Sequence, residues 1–209
     1  LKKEVKAIKL LCESDNLDDY LTETAEVNYN HPLIVALFSS LVRSSNDPIG
    51  FVKNSYEYVR DEINHSWDIQ SSRVTCTASE TLLYQEGICY AKANLLSALL
   101  RKAGIPAGFC YQRLTLGDTP ESGYCIHALN GVYIAKYDQW IRLDARGNKK
   151  GVHAEFSIDT EKLAFPIRPE YGEVDYPYIF RRPNHKTIEA LRQNTDCKTM
   201  YLHSLPSQL

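Results

Sequence analysis

The chain has 209 residues, 44% of them hydrophobic, enough to bury one sizeable core near the upper end of ordinary single-domain length. Its 24 basic and 26 acidic residues intermix to a formal charge of -2, which offers no footprint for a phosphate backbone and excludes nucleic acid as an expected partner. No run approaches the roughly eighteen apolar residues of a bilayer span, and the N-terminus alternates Lys and Glu with apolar residues, unlike a signal peptide. No membrane association is expected and the cytoplasm is the expected compartment, although a chain that starts at Leu1 leaves a removed leader open.

In chain order, the first 45 residues carry short apolar runs and read as a helical lead-in, with residues 33–41 its strongest helix. A clearer helix starts after Asp47, a good N-cap, with Pro48 in the first-turn position that proline favours. Its apolar stripe of Ile49, Val52, Tyr56, Val59 and Ile63 is assigned to packing. In TASETLL, Thr77 and Glu80 form a capping-box signature for a short helix ending near Tyr84, followed by a loop of Gln85, Glu86 and Gly87. The segment GICYAKANLLSALLRKAGIP then spreads Ala91, Leu95, Leu96, Leu99, Leu100 and Ala103 around a largely buried helix, with Cys89 in its first turn and Gly104 and Pro106 at its end.

From Gly108 the pattern turns to strands, GFCYQRLTL, YCIHALNGVYIA and QWIRLDA, separated by GDTPESG and KYD. Asn130-Gly131 is a hairpin dipeptide inside the second of them, and a turn there would part His127 from Asp144. The expected arrangement is one long strand from Tyr124 to Ala135, with at most a bulge at Asn130-Gly131 and the turn at residues 136–138. Pro166, Pro169, Pro177 and Pro183 break residues 165–183 into a loop over the core, and residues 186–209 form a C-terminal helix and tail. With no internal repeat, residues 1–209 read as a single α+β domain: N-terminal helices, then a central helix packed on an antiparallel sheet.

The chemistry centres on Cys89. A buried cysteine is ordinarily an inert small hydrophobe, but a thiol in the first turn of a helix sits beside unpaired backbone N–H groups and the positive end of the helix dipole, which favour thiolate. The same N–H groups can donate to an oxyanion. Among the six histidines, His127 lies within the strongest strand pattern, where its ring can be held steady against that helix end. Asp144 ends the next strand, and an imidazole N–H is its natural partner. Cys12, Cys76, Cys110, Cys125 and Cys197 contain no CxxC pair with Cys89 or with one another, and the chain is larger than domains that need disulfide staples, so they are read individually. Cys110 and Cys125 are assigned to the core. Cys125 and His127 are the nearest approach to a metal pair; two ligands do not make a site, and neither metal nor other cofactor is expected. Lys92, Arg146 and Gln112 are read as solvated groups at element edges.

GICYAK, CIHALN and WIRLDARGNK, in the order Cys, His, Asp, resemble the core of the transglutaminase-like superfamily, and within it the bacterial transglutaminase-like cysteine peptidases. The resemblance covers residues 55–185, the expected catalytic core, and the AGIPAG helix end supports it. It implies a papain-like α+β fold with Cys89, His127 and Asp144 as catalytic residues. It also implies a side-chain oxyanion donor upstream of the cysteine, for which Trp67 in HSWD and Gln85 are the candidates, and Tyr90, standing where the crosslinkers carry tryptophan, joins them on the substrate side. That departure, with the lack of accessory β-domains and calcium loops, weighs against calcium-dependent crosslinking. The expected activity is acyl transfer from a peptide, protein or small amide through a thioester, with hydrolysis favoured over transfer to an amine. A non-catalytic binding module on the same fold and a metalloprotein are the rival readings, and the oligomeric state is not legible.

Overall fold

The computed structural model describes residues 8–117 and 119–209. The Lys/Glu-alternating first seven residues and Asp118 of the GDTPESG turn lie outside them. The lead-in is mostly not helical: it holds strand β1 (Leu11–Cys12) and a 3₁₀ turn (Leu17–Tyr20) before α1 (Pro32–Arg43) begins. Its apolar groups are spent on pairing with distant chain, since Tyr20 is fully buried and its hydroxyl donates to Ile179 O at 3.2 Å.

Helix α2 (Pro48–Glu62) starts as its sequence signals require, with the Asp47 carboxylate accepting from Gly50 N at 2.7 Å. Strand β2 (Asn64–His65) follows, then α3 (Ala78–Tyr84), capped by Thr77 and Glu80 in a complete capping box. Gln85 closes α3 in the left-handed region (φ 52°), and Glu86–Gly87, expected as loop, form a short strand β3 parallel to β2. Helix α4 (Cys89–Lys102) is sheathed on all sides: Leu95, Leu96, Leu99 and Leu100 are fully buried between α2, α3 and the sheet.

The sheet contains β4 (Ala107–Thr115), β5 (Tyr124–Ile134), β6 (Gln139–Leu143) and β7 (Val174–Asp175), in the order β6-β5-β4-β7, all antiparallel. β5 runs straight through Asn130-Gly131 with unbroken register, and the turn falls at residues 135–138, where Asp138 takes φ 51°. Both residues have sheet-specific work that outweighs their turn preference. Asn130 Nδ2 donates to Ala93 O (3.1 Å), Ser97 Oγ (2.9 Å) and Gly108 O (3.3 Å), while a Cβ at Gly131 would lie 2.8 Å from Ile179 Cγ2.

The proline-broken stretch is more than a loop: it adds β7 to the sheet and strand β8 (Tyr178–Ile179), which pairs in parallel with β1. The C-terminal portion holds two helices rather than one, α5 (His185–Gln193) and α6 (Cys197–His203). The tail returns to the sheet, where Pro206 O accepts from Ile126 N at 2.8 Å. Among the described residues, no helix is long and apolar enough to cross a membrane.

Candidate active site

Cys89 is the first residue of α4, preceded by Ile88, whose side chain offers no cap, so the first-turn N–H groups keep their donor capacity for another acceptor. Gly87 serves space and not a tight turn: a Cβ there would lie 2.9 Å from both Ala91 Cβ and Thr75 Oγ1. Three bonds hold α4 across β5. Tyr90 Oη donates to Ile126 O at 2.7 Å, and Asn130 reaches Ala93 and Ser97. This clamp sets the opening of α4 against the β5 segment that carries His127.

His127 Nε2 lies 2.8 Å from Asp144 Oδ2. In the β5–β6 register Asn130 faces Leu143, so Asp144, one residue beyond β6, is the diagonal cross-strand neighbour of His127. Asp144 is 1% exposed and also accepts from Arg146 N (3.2 Å, Oδ1) and Ala164 N (3.1 Å, Oδ2). Burial opposes its charge, but His127 and the two backbone donors prevail and hold it below the usual carboxylate range. Burial likewise opposes protonation of His127, and the charges of Asp144 and Cys89, with hydrogen bonds to both, outweigh it and raise the imidazole above its ordinary value. With Nε2 committed to Asp144, Nδ1 is the ring atom left for the sulfur. The Phe165 ring stands perpendicular to His127, centroids 5.1 Å apart.

The model of the transglutaminase-like superfamily matches residues 35–145, just over half of the chain. The chain belongs to the transglutaminase-like superfamily. A Cytophaga hutchinsonii structure described as a candidate cysteine protease superimposes with a TM-score of 0.50 at 20% identity, over 64% of this chain and 43% of that one. The periplasmic domain of TgpA from Pseudomonas aeruginosa aligns at a TM-score of 0.44 and 19% identity, over 60% of this chain and 45% of that one. A TGase aligns at 0.46 and 17%, over 76% of this chain and 45% of that one. This chain thus spans less than half the length of each, and the first of these likenesses concerns the fold, an α+β papain-like core. Among proteins of curated function, none matches.

Within this superfamily core the remaining candidates fall in different places. Trp67 is half-buried on the turn after β2, beside the strand that leads into Cys89, and its ring stacks on Tyr201 of α6 at 4.2 Å. Gln85 is exposed, and its backbone carbonyl accepts from Asn64 N at 2.9 Å and from Asn64 Nδ2 at 3.4 Å. Tyr90 is buried with its hydroxyl on Ile126 O, so it joins helix to sheet.

The three residues read as solvated are all buried: Lys92 at 0%, Gln112 at 1% and Arg146 at 4% exposure. Lys92 points back under α2, donating to Ile63 O and to Arg60 O (3.3 Å), where it satisfies carbonyls at a helix end. Burial foremost, then Arg146, pull it down to about 7. Arg146 forms a bidentate pair with Asp68 at 2.6 and 2.8 Å. Asp68 and Phe165 escaped the sequence reading, since one sits in a turn and the other in a proline-broken loop, with no local pattern to mark either.

The six cysteines are all free thiols. Burial raises the other five, Cys125 to about 12 and Cys197 to about 11, and Cys110 and Cys125 lie in the core as expected. Among the described residues no group of three or more His, Cys, Asp or Glu side chains is arranged to hold a metal ion.

Proposed function

We propose that the chain is a cysteine-dependent acyl-transfer enzyme acting on peptide, protein or small amide substrates, with Cys89 as nucleophile, His127 as base and acid, and Asp144 as the group that orients and charges the imidazole. The observation that carries this reading is the convergence of a half-buried thiol at an uncapped helix start with an imidazole whose charged form is favoured both by that thiol and by a carboxylate 2.8 Å away.

In the proposed cycle the Cys89 thiolate attacks the substrate carbonyl, and the Cys89 backbone N–H, with Trp67 as candidate second donor, holds the resulting oxyanion. Protonated His127 gives its proton to the leaving amine, and a thioester remains on Cys89. His127 then takes a proton from water, which attacks the thioester. The thiolate leaves, a carboxylic acid is released, and His127 is again protonated. An amine in place of water would turn the same intermediate into a new amide; hydrolysis is the branch we propose, and the acceptor test below decides between them. The cytoplasmic setting remains part of the proposal.

The test is intact-mass analysis after mixing the protein with p-nitrophenyl acetate. A p-nitrophenol burst with one acetyl group mapped to Cys89, lost in Cys89→Ala, supports the reading. Acetylation spread over the lysines with no burst refutes it. Adding excess 1,5-diaminopentane then separates transfer, which yields the acetylated amine, from hydrolysis, which yields acetate.

A further inference from the structure

The Asp68–Arg146 pair joins the two halves of the candidate site. On one side, the 64–70 segment is stitched to the strand before Cys89: Asn64 N donates to Gln85 O at 2.9 Å and Ser66 N to Gly87 O at 3.3 Å. Asp68 lies in the turn that follows, with its N–H on His65 O at 2.8 Å. On the other side, Arg146 N bonds Asp144 Oδ1, and the guanidinium lies 5.8 Å from the centroid of the Phe165 ring that abuts His127. The ion pair itself is bidentate and its arginine is nearly sealed from water, with Lys149 adding a second contact to Asp68 at 2.6 Å. A bidentate fork with one partner buried fixes distance and angle more tightly than a fully exposed ion pair does.

We propose that the Asp68–Arg146 pair is a positioning device that sets the separation between Cys89 and the His127–Asp144 pair, a role that rests on the reading of Cys89 as nucleophile. Neither residue touches the reacting atoms. Arg146 acts through Asp144 and Phe165, and Asp68 acts through the β2–β3 pairing. Held from opposite ends, the strand that leads to Cys89 and the strand end that carries Asp144 cannot drift apart without breaking two charged hydrogen bonds. Arg146 and Lys149 keep the Asp68 carboxyl down at about 2 against its burial, so the bridge is intact at every working pH.

The experiment measures iodoacetamide alkylation of Cys89 at pH 6, with peptide mapping, in the full chain and in Asp68→Asn and Asp68→Glu. Electrostatics and positioning push Asp68→Asn in opposite directions. Removing the negative charge leaves the Arg146 and Lys149 cations unopposed, and added positive charge by itself favours thiolate and speeds alkylation. Loosening the Cys89–His127 geometry slows it, and displacements near 1 Å can cost on the order of 10²-fold. Asp68→Asn is expected to lose roughly tenfold or more by that argument, and Asp68→Glu, which keeps the charge and the fork, to recover most of it. An Asp68→Asn rate equal to or above wild type overturns the proposal, as does loss of the far-ultraviolet circular dichroism of both variants, which would make the pair a fold element. If wild-type Cys89 reacts no faster than the other five thiols, the nucleophile reading fails and takes the bridge with it. A reactive wild type with equally reactive variants removes the bridge alone.

Discussion

Replacing Asp144 by Asn is the sharpest perturbation of the site, because the amide keeps the shape and removes the charge. The carboxylate sits 2.8 Å from His127 Nε2 in a setting from which water is excluded. An opposite charge within about 4–6 Å commonly moves a pKa by 1–3 units, and each unit corresponds to about 1.4 kcal/mol. Without Asp144, burial is the largest remaining influence on His127 and favours the neutral ring. The proposed thiolate–imidazolium form would then lose about two units of support, a fall of roughly a hundredfold in its population wherever it is not saturated. There is a structural cost too. Asp144 accepts from Ala164 N and Arg146 N as well as from the imidazole, and an amide NH₂ must face at least one of these donors, at about 1–3 kcal/mol for a buried group left unsatisfied. The assay pairs Cys89 alkylation rates from pH 5 to 9 with urea unfolding of the same samples. Asp144→Asn is expected to stay folded at 20 °C, with a lower urea midpoint and a Cys89 rate at pH 6 reduced by about two orders of magnitude. A reduction below threefold in a folded variant would refute the argument that Asp144 charges the imidazole.

Other expectations bear on the frame and its pH response. Gly131→Ala pushes a methyl group to within 2.8 Å of Ile179 Cγ2 and 3.2 Å of Cys110 Sγ, and should destabilise the fold by about 1–3 kcal/mol in urea unfolding. A neutral result would show that β8 yields easily. Thr77→Ala removes one arm of the capping box on α3 and should cost about 1 kcal/mol in the same assay, with Cys89 reactivity unchanged. Glu173, held down to about 2 by Arg168 and Thr115 against its burial, binds fewer protons folded than unfolded. Its stabilisation is therefore complete above the ordinary glutamate value near 4.3 and disappears as pH falls toward 2. Glu173→Gln should lose about 1–2 kcal/mol at pH 7, allowing for solvent screening, and should narrow its deficit to wild type between pH 4.5 and 2.5. A deficit that is constant with pH would contradict the linkage.

How far the molecule was legible from its residues depended on how local each signal is. Asp47, Pro48, Thr77 and Glu80 act within one turn, and the caps they imply are present. Cys89 after Gly87, with a leucine-rich helix behind it, marked the helix start for the same reason. His127 and Asp144 were assigned by strand pattern, and their contact required β5 to pass through Asn130-Gly131 without turning. What decides that point is tertiary: Asn130 spends its amide on α4 and on β4, and Gly131 makes room for Ile179, a residue 48 positions later in the chain. The burial of Lys92 and Arg146 went unread for a related reason. Composition places such residues at the surface, and only α2's carbonyl end and Asp68 supply the partners that make burial tolerable. The short strands β1, β7 and β8 escaped because two-residue pairings leave no periodic trace.

The central claim is that Cys89 and His127 form a reactive pair, and alkylation across pH with peptide mapping of all six cysteines tests it most directly, in wild type and in His127→Ala. The account requires Cys89 to react selectively below pH 8, ahead of five thiols that burial raises, and to lose that lead without His127. A Cys89 as slow as the other thiols, or one whose reactivity is indifferent to His127, would contradict it.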